Sequence, residues 1–298
     1  PVYAMDSGGM KGSFEAGYFA ASLRIEKEMK TKEKIPASVN VLGLSTVHMK
    51  GREDAEEIRR LLSLCGIRVI SMPGGGSNWD DIMDAPSASL NIVVRDELGL
   101  SLAKQMERDF GTPYMSSGLP YGTDGTMAWL SEIIEKLGAG ELIRASHEAA
   151  KLKEFLLRKG NNLESLWGPL WFDAVLISAP PSEALGIAEA IRSEWIDTAR
   201  LCIHAQCETE KSTPAADAIR VVMKNEKEIA KDYEDWQGGL VLSSSHETHL
   251  LRRMGRSFTG FHIALPSHDE VHFSDLPQCG LRGAGYLYEQ LWNAKLRK

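Results

Sequence analysis

Short apolar runs alternate with amphipathic stretches along almost the whole chain. Val39–Leu44 is nearly all apolar, as expected of a strand covered on both faces. Glu53–Cys65 follows, with Ala55, Ile58, Leu61, Leu62 and Cys65 at helical spacing and charges between them. Ile67–Met72 is a second strand. The loop PGGGSNWDD (73–81) then enters a helix, with Ser77 predicted as N-cap and Asp80 three residues on. Leu90–Val94 is a third strand. Leu98–Phe110 is a helix stopped by Gly111 and Pro113. Tyr114–Ser117 is a fourth strand and Thr126–Leu137 a further helix.

The second half continues the alternation. Strands are predicted at Ala174–Ala179, Arg200–Ala205, Ile219–Met223, Leu240–Ser243 and Phe261–Leu265, with a helix over Ser182–Trp195. The stretches LAKQMERDFGTPYMSSGLP (102–120) and LLRRMGRSFTGFHIALP (250–266) run alike, each from helix to strand to Leu-Pro. The pattern predicts two copies of one α/β architecture, tandem Rossmann-like doubly wound domains with parallel sheets. Their predicted spans are 38–140 and 160–298. A charged helix over Glu141–Lys159 joins them, with Leu142, Leu152, Phe155 and Leu156 as its apolar stripe. Residues 1–37 fit neither copy. They read as a Gly-rich loop, a helix over Glu15–Met29 and a Lys-rich connector, the tail of a missing first domain.

Charge and composition narrow the partners. With 34 Lys and Arg against 41 Asp and Glu, the net charge of −7 gives no bulk attraction to phosphate backbones, so no nucleic-acid partner is expected. No apolar run approaches the length of a membrane span, so no membrane partner is expected either. Cys65, Cys202, Cys207 and Cys279 form no C-x-x-C pair, which argues against a zinc ribbon or thioredoxin-type site. With no export signal, they read as reduced thiols in a cytoplasmic protein.

Motif chemistry is sparse. No G-x-G-x-x-G follows a strand and no phosphate-binding P-loop is present. Gly74–Gly76 reads as a turn. Gly280, Arg282, Gly283 and Gly285 open the last helix, where backbone N–H groups and Arg282 could hold an anion. Five of the eight His lie between 246 and 272: His246, His249, His262, His268 and His272. His246 and His249 could face one metal from a helix, although solvent-facing His is the commoner arrangement. In open α/β sheets, ligands bind beyond the carboxyl ends of the strands. That rule singles out Arg95, Ser116–Tyr121, Ser243, Ser244, His246, Ser267, His268, Asp269, Cys279 and Arg282 as lining one cleft.

Three stretches together resemble the nitrogenase component 1 family, which includes molybdenum–iron protein subunits, their cofactor-scaffold relatives and dark-operative protochlorophyllide reductase subunits. They are residues 39–94, residues 106–133, and SSHETHLLRRMG through LPQCGLRGAGYLYEQL (244–291). The sharpest marks are Asp84–Pro86, Phe110–Tyr114 and Gly280–Gly283. The opening PVYAMDSGGMKGSFEAGY is similar to the segment of β-type subunits that leads into the second domain. The resemblance implies three Rossmann-like domains, of which this chain carries the end of the first and the other two. It implies a nitrogenase-like oxidoreductase subunit taking part in electron transfer to a metallocluster or bound substrate, or a non-catalytic scaffold for assembly of an iron–sulfur cofactor. The implied partners are a homologous second subunit and an ATP-dependent iron–sulfur reductase as electron donor. An iron–sulfur cluster or metallocluster is implied in the full complex and none is expected in this fragment. Cofactor-bearing subunits place a Cys ligand where this chain has Arg95, and a His ligand where it has Cys279. Cys279 is therefore the candidate metal ligand. Arg95, Ser244, His246, His268, Cys279 and Arg282 are the candidate cofactor-binding set, with Arg95 free to hold an anionic ligand.

Overall fold

The computed structural model describes residues 13–207, 211–221, 230–231, 233–234, 236 and 238–297. Among the described residues, nine strands form two separate sheets. The first contains β1 (Ile35–Leu42), β2 (Arg68–Ser71), β3 (Ala88–Val93) and β4 (Tyr114–Ser116), in the order β2-β1-β3-β4. The second contains β5 (Trp171–Ala179), β6 (Asp197–Ala205), β7 (Ala218–Val221), β8 (Leu240–Ser243) and β9 (Thr259–His262), in the order β7-β6-β5-β8-β9. All neighbouring strands are parallel. Helices cover both faces, which explains why the strands read as unbroken apolar runs.

The two halves are not copies of one strand order. The first sheet reverses direction between β1 and β3, and the second between β5 and β8. These are the flavodoxin-like and Rossmann-like variants of the doubly wound plan. The predicted strands are all present, Leu240–Ser243 with its predicted bounds and the others with shifted ends. The end of the strand predicted over Ile219–Met223 and the Gly-rich opening lie partly outside the described residues.

Helix ends follow side-chain chemistry that the sequence shows imperfectly. The helices of the first half are α1 (Phe14–Glu26), α2 (Gly51–Leu64), α3 (Trp79–Asp84), α4 (Asp96–Phe110) and α5 (Thr123–Leu137). The cap of α3 is Asn78, with Asp81 closing the capping box, not Ser77 with Asp80. The Ser77 hydroxyl is taken by the Met72 N–H at 2.7 Å, so it serves the preceding turn. α4 ends on Gly111 in the left-handed conformation, as its position before Pro113 predicts.

The joining helix, α6, runs over Ile143–Trp167 and so extends beyond the predicted Lys159. Its apolar stripe is only partly covered: Leu152 packs on the core, while Phe155 is 45% exposed. The second half adds α7 (Pro181–Ala190), which passes into a π-helical turn at Ile191–Trp195, then α8 (Ser245–Arg253) and α9 (Gly280–Leu296). α9 packs against α2, α5 and α6 as well as β9. One apolar core therefore runs from the first sheet into the second, joining Val41 and Ile58 to Phe172, Leu242 and Leu287.

A carboxylate pins the two halves together. Glu194, in the π-helical turn, accepts from the N–H groups of Thr123, Asp124 and Gly125 at 2.6, 2.9 and 3.0 Å. It thus satisfies the open donors at the start of α5 and sits at the positive end of the helix dipole. Gly122 precedes that helix with φ of 74°, and a Cβ there would lie 2.2 Å from Glu194 Oε1. Glycine is required at that position both for the backbone conformation and for the close approach.

Candidate functional site

Both topological switch points carry chemistry, and they differ in character. At the first, β3 ends and Arg95 begins the turn into α4. Its guanidinium is fully buried. It donates from Nε and Nη2 to Glu183 Oε1 at 3.0 and 2.6 Å, and from Nη1 to the Gly43 carbonyl at 3.4 Å. Glu183 stands in the first turn of α7, so the pair crosses the seam between the sheets. Burial works against the Arg95 charge. The Glu183 carboxylate, together with Tyr121 and Asp54, offsets it and holds the guanidinium above its usual range.

Asp54 lies beside Arg95 on α2. Its Oδ1 accepts from the N–H groups of Gln278 and Cys279 at 2.7 and 3.0 Å. Burial pushes its pKa up to about 6, against the pull of Arg95 and of those two N–H groups. Burial also raises the Cys279 thiol well above its usual range, reinforced by Asp54 and Glu57. Cys279 Sγ rests 3.9 Å from the Asp54 carbonyl. Tyr121 is raised by the same burial and by Glu183 and Asp54. Gly280, with φ of 74°, brings α9 onto α2, and a Cβ there would lie 2.5 Å from Glu57 Cγ. Arg282 is largely exposed, with its N–H donating to Glu57 Oε1 at 3.2 Å.

Two expectations change here. Arg95 is not an open anion-binding charge, because its donors are committed to a buried partner. It is also buried rather than lining an open cleft. The seam has the wrong donors for the implied metallocluster as well. Such clusters are held by thiolate and imidazole ligands. Arg95, Glu183, Asp54 and Tyr121 are hard or cationic groups, and the one sulfur, Cys279, is held as a neutral thiol. Asp54 Oδ2, Tyr121 Oη and Gln278 Nε2 are buried there without a hydrogen-bond partner, which marks polar space rather than a soft-ligand pocket.

The second cluster lies beyond β8 and β9. Ser244 caps α8 and Glu247 closes the capping box. His246 and His268 are both exposed, with ring centroids 6.5 Å apart. His249 turns toward Asp269 at 3.5 Å and does not join His246 at a common point among the described residues. Deeper in, His262 ends β9 with its side chain 1% exposed. Its Nδ1 is 2.7 Å from Ser267 Oγ, which is 3.1 Å from His272 Nε2. The Glu270 carboxylate accepts from the His262 N–H at 3.0 Å. Asp269 is drawn down to about 2: burial opposes its charge, but hydrogen bonds from Arg252 and Ser245 outweigh it. Burial lowers His272, so its imidazole is neutral near pH 7.

The candidate set thus divides. Arg95, Cys279 and Arg282 gather around Asp54 and Glu57. Ser244, His246 and His268 gather around the start of α8. Asp54 and Glu183, which organise the first group, escaped notice in the sequence, although one signal was there: Asp54 and Glu57 share a face of α2 with Ile58 and Leu61.

Two parallel doubly wound sheets with titratable clusters at their switch points define a Rossmann-like α/β protein. The family described as nitrogenase component 1 type oxidoreductase matches residues 1–296, and the chain belongs to it. A light-independent protochlorophyllide reductase subunit of Prosthecochloris aestuarii is 25% identical over 297 residues, covering 93% of this chain and 54% of that protein. Nitrogenase iron-molybdenum cofactor biosynthesis protein NifE of Clostridium pasteurianum is 33% identical over 167 residues, 55% of this chain and 34% of that protein. The solved structure of nitrogenase Cp1 at pH 6.5 superposes with a TM-score of 0.70 at 17% identity, covering 96% of this chain and 66% of that one. The chain spans about half the length of the curated full-span relatives. Among the described residues, no helix is long and apolar enough to cross a membrane.

Proposed function

We propose that this chain is the cluster-free half of a component 1 type oxidoreductase complex. In this reading it pairs with a homologous second subunit, which supplies the ligands for the metallocluster or bound substrate. Electrons arrive from an ATP-dependent iron–sulfur reductase, and the complex works in the cytoplasm. The cofactor carries the redox chemistry while the protein positions and insulates it. The observation behind the reading is the Arg95–Glu183 pair, which fills the first switch point with a satisfied ion pair where cofactor-bearing relatives place a soft ligand.

The test is to co-express the full protein with its homologous subunit and purify the complex without oxygen. Iron and acid-labile sulfide are then measured in the wild type and in a Cys279→Ser variant. The expected result is stoichiometric iron in the complex, unchanged by the substitution. Loss of iron in Cys279→Ser would make this seam a cluster site and overturn the reading.

The identity to the cofactor-biosynthesis protein over 167 residues favours a second reading, a non-catalytic scaffold that holds a cofactor precursor. A complex that carries the cluster but accepts no electrons from the reductase would support it.

A further inference from the structure

The loop that follows β9 brings three metal-ligating side chains to one point. His262, Glu270 and His272 each offer one atom, and these atoms lie within 4.8 Å of one another. His262 Nδ1 and His272 Nε2 stand 3.9 and 3.8 Å from the same oxygen, Glu270 Oε2. Ser267 Oγ sits between the two imidazoles and supplies a fourth ligand atom. For an ion bonded at about 2.0–2.1 Å, tetrahedral ligands lie roughly 3.3 Å apart, so each imidazole must approach Glu270 by about half an ångström and the two imidazoles must approach each other by up to about 1.5 Å. Residues 263–279 form no helix or strand, so the loop carrying Glu270 and His272 can make that adjustment.

The outer face of His262 is arranged as a metal-bound imidazole requires. Its second nitrogen, Nε2, lies 3.3 Å from Thr248 Oγ1 and 3.4 Å from Asp269 Oδ1. These two oxygens favour the tautomer with the proton on Nε2, in which the Nδ1 lone pair faces Ser267 and the Glu270 carboxylate. Carboxylates in this position orient ligating His and raise its basicity. Asp269 is itself fixed by Ser245 and Arg252 at 2.8 and 2.7 Å. Two carboxylates in the cluster also offset the charge of a divalent ion, with Lys50 the cation facing His272.

We propose that His262, Glu270 and His272 form a mononuclear site for a divalent transition ion of the zinc, cobalt or iron(II) class. Two imidazoles and one carboxylate suit such ions and leave positions open for water or an added ligand. The site is separate from the seam and does not depend on the reading of the chain as a cluster-free subunit.

The test is titration of the chelator-dialysed chain with cobalt(II) chloride, followed by visible absorption. One equivalent should bind and give the spectrum of a low-coordinate site. His272→Ala and Glu270→Gln should each weaken binding at least tenfold, and Asp269→Asn by about 10- to 100-fold. The double variant His246→Ala/His268→Ala should bind as the wild type does. Far-ultraviolet circular dichroism checks folding, and Glu270→Gln carries the test if His272→Ala unfolds. The proposal fails if the wild type shows no saturable binding. It also fails if binding survives loss of His272 and Glu270, or if it vanishes only in the double variant, which would place the ion on the exposed pair.

Discussion

The seam around Arg95 and the loop after β9 both gather titratable groups at the carboxyl end of a sheet, yet one is closed and the other open. In the seam, charge is matched by charge inside the protein. Arg95 and Glu183 have side-chain exposures of 0% and 3%. Around the loop, His268 and His246 of the adjoining α8 face water, and Arg252 of α8, 56% exposed, reaches across to Asp269. Burial raises the stake on every partner, because a charge removed from water depends on the group left opposite it. Exposed pairs are screened and contribute little. The same residue types therefore serve cohesion in one place and remain available to a ligand in the other.

The sharpest way to break this comparison is Arg95→Ala. It leaves Glu183 buried and uncompensated and should cost about 3–5 kcal/mol in urea unfolding. The double variant Arg95→Met/Glu183→Leu should recover most of that loss, since a matched apolar pair has no charge to desolvate. A single-variant loss below about 1 kcal/mol would mean that water reaches the pair and that the seam is not closed.

Asp54 tests the seam by pH. Its folded-state pKa of about 6 lies above the ordinary 3.8, so the folded protein holds a proton that the unfolded chain releases. That contribution is fully present below pH 3.8 and is lost as pH rises through about 6. Two units at about 1.4 kcal/mol each give roughly 3 kcal/mol. Asp54→Asn keeps an oxygen for the N–H groups of Gln278 and Cys279. Relative to this variant, the wild type should lose stability between about pH 4 and 6. Parallel curves for the two proteins across that range would show that Asp54 is solvated.

Next in size is Glu194→Ala. It strips three N–H groups at the start of α5 of their acceptor and should cost about 1–2 kcal/mol in thermal or urea unfolding. On the open side, Ser244→Ala removes the cap of α8 at about 1 kcal/mol. If Ser244→Ala proved costlier than Arg95→Ala, the assignment of closed and open regions would be reversed.

Much of the fold was legible in advance because local rules act over short distances. Val39–Leu44 reads as a strand since a parallel sheet buries both faces, and Gly111 before Pro113 ends α4 by backbone conformation alone. The errors were also local. Ser77 and Asn78 are both competent caps, and which one serves depends on whether the Met72 N–H claims the serine. The difference in strand order between the sheets was invisible, because the alternation of strand and helix is the same in both.

The sequence alone determined the element types, the parallel sheets and the family, and it singled out Arg95 and Cys279 as departures from a cofactor-ligating pattern. Only the tertiary structure decided what those departures do. Arg95 meets Glu183 from 88 positions away, and Cys279 meets Asp54 across 225. Periodicity carries no information over such separations. Nor does it show that Glu270 and His272 fold back onto His262 while His246 and His249 diverge. A side chain's charge state and partners are set by what packs against it, and here the packing joins elements from opposite ends of the chain.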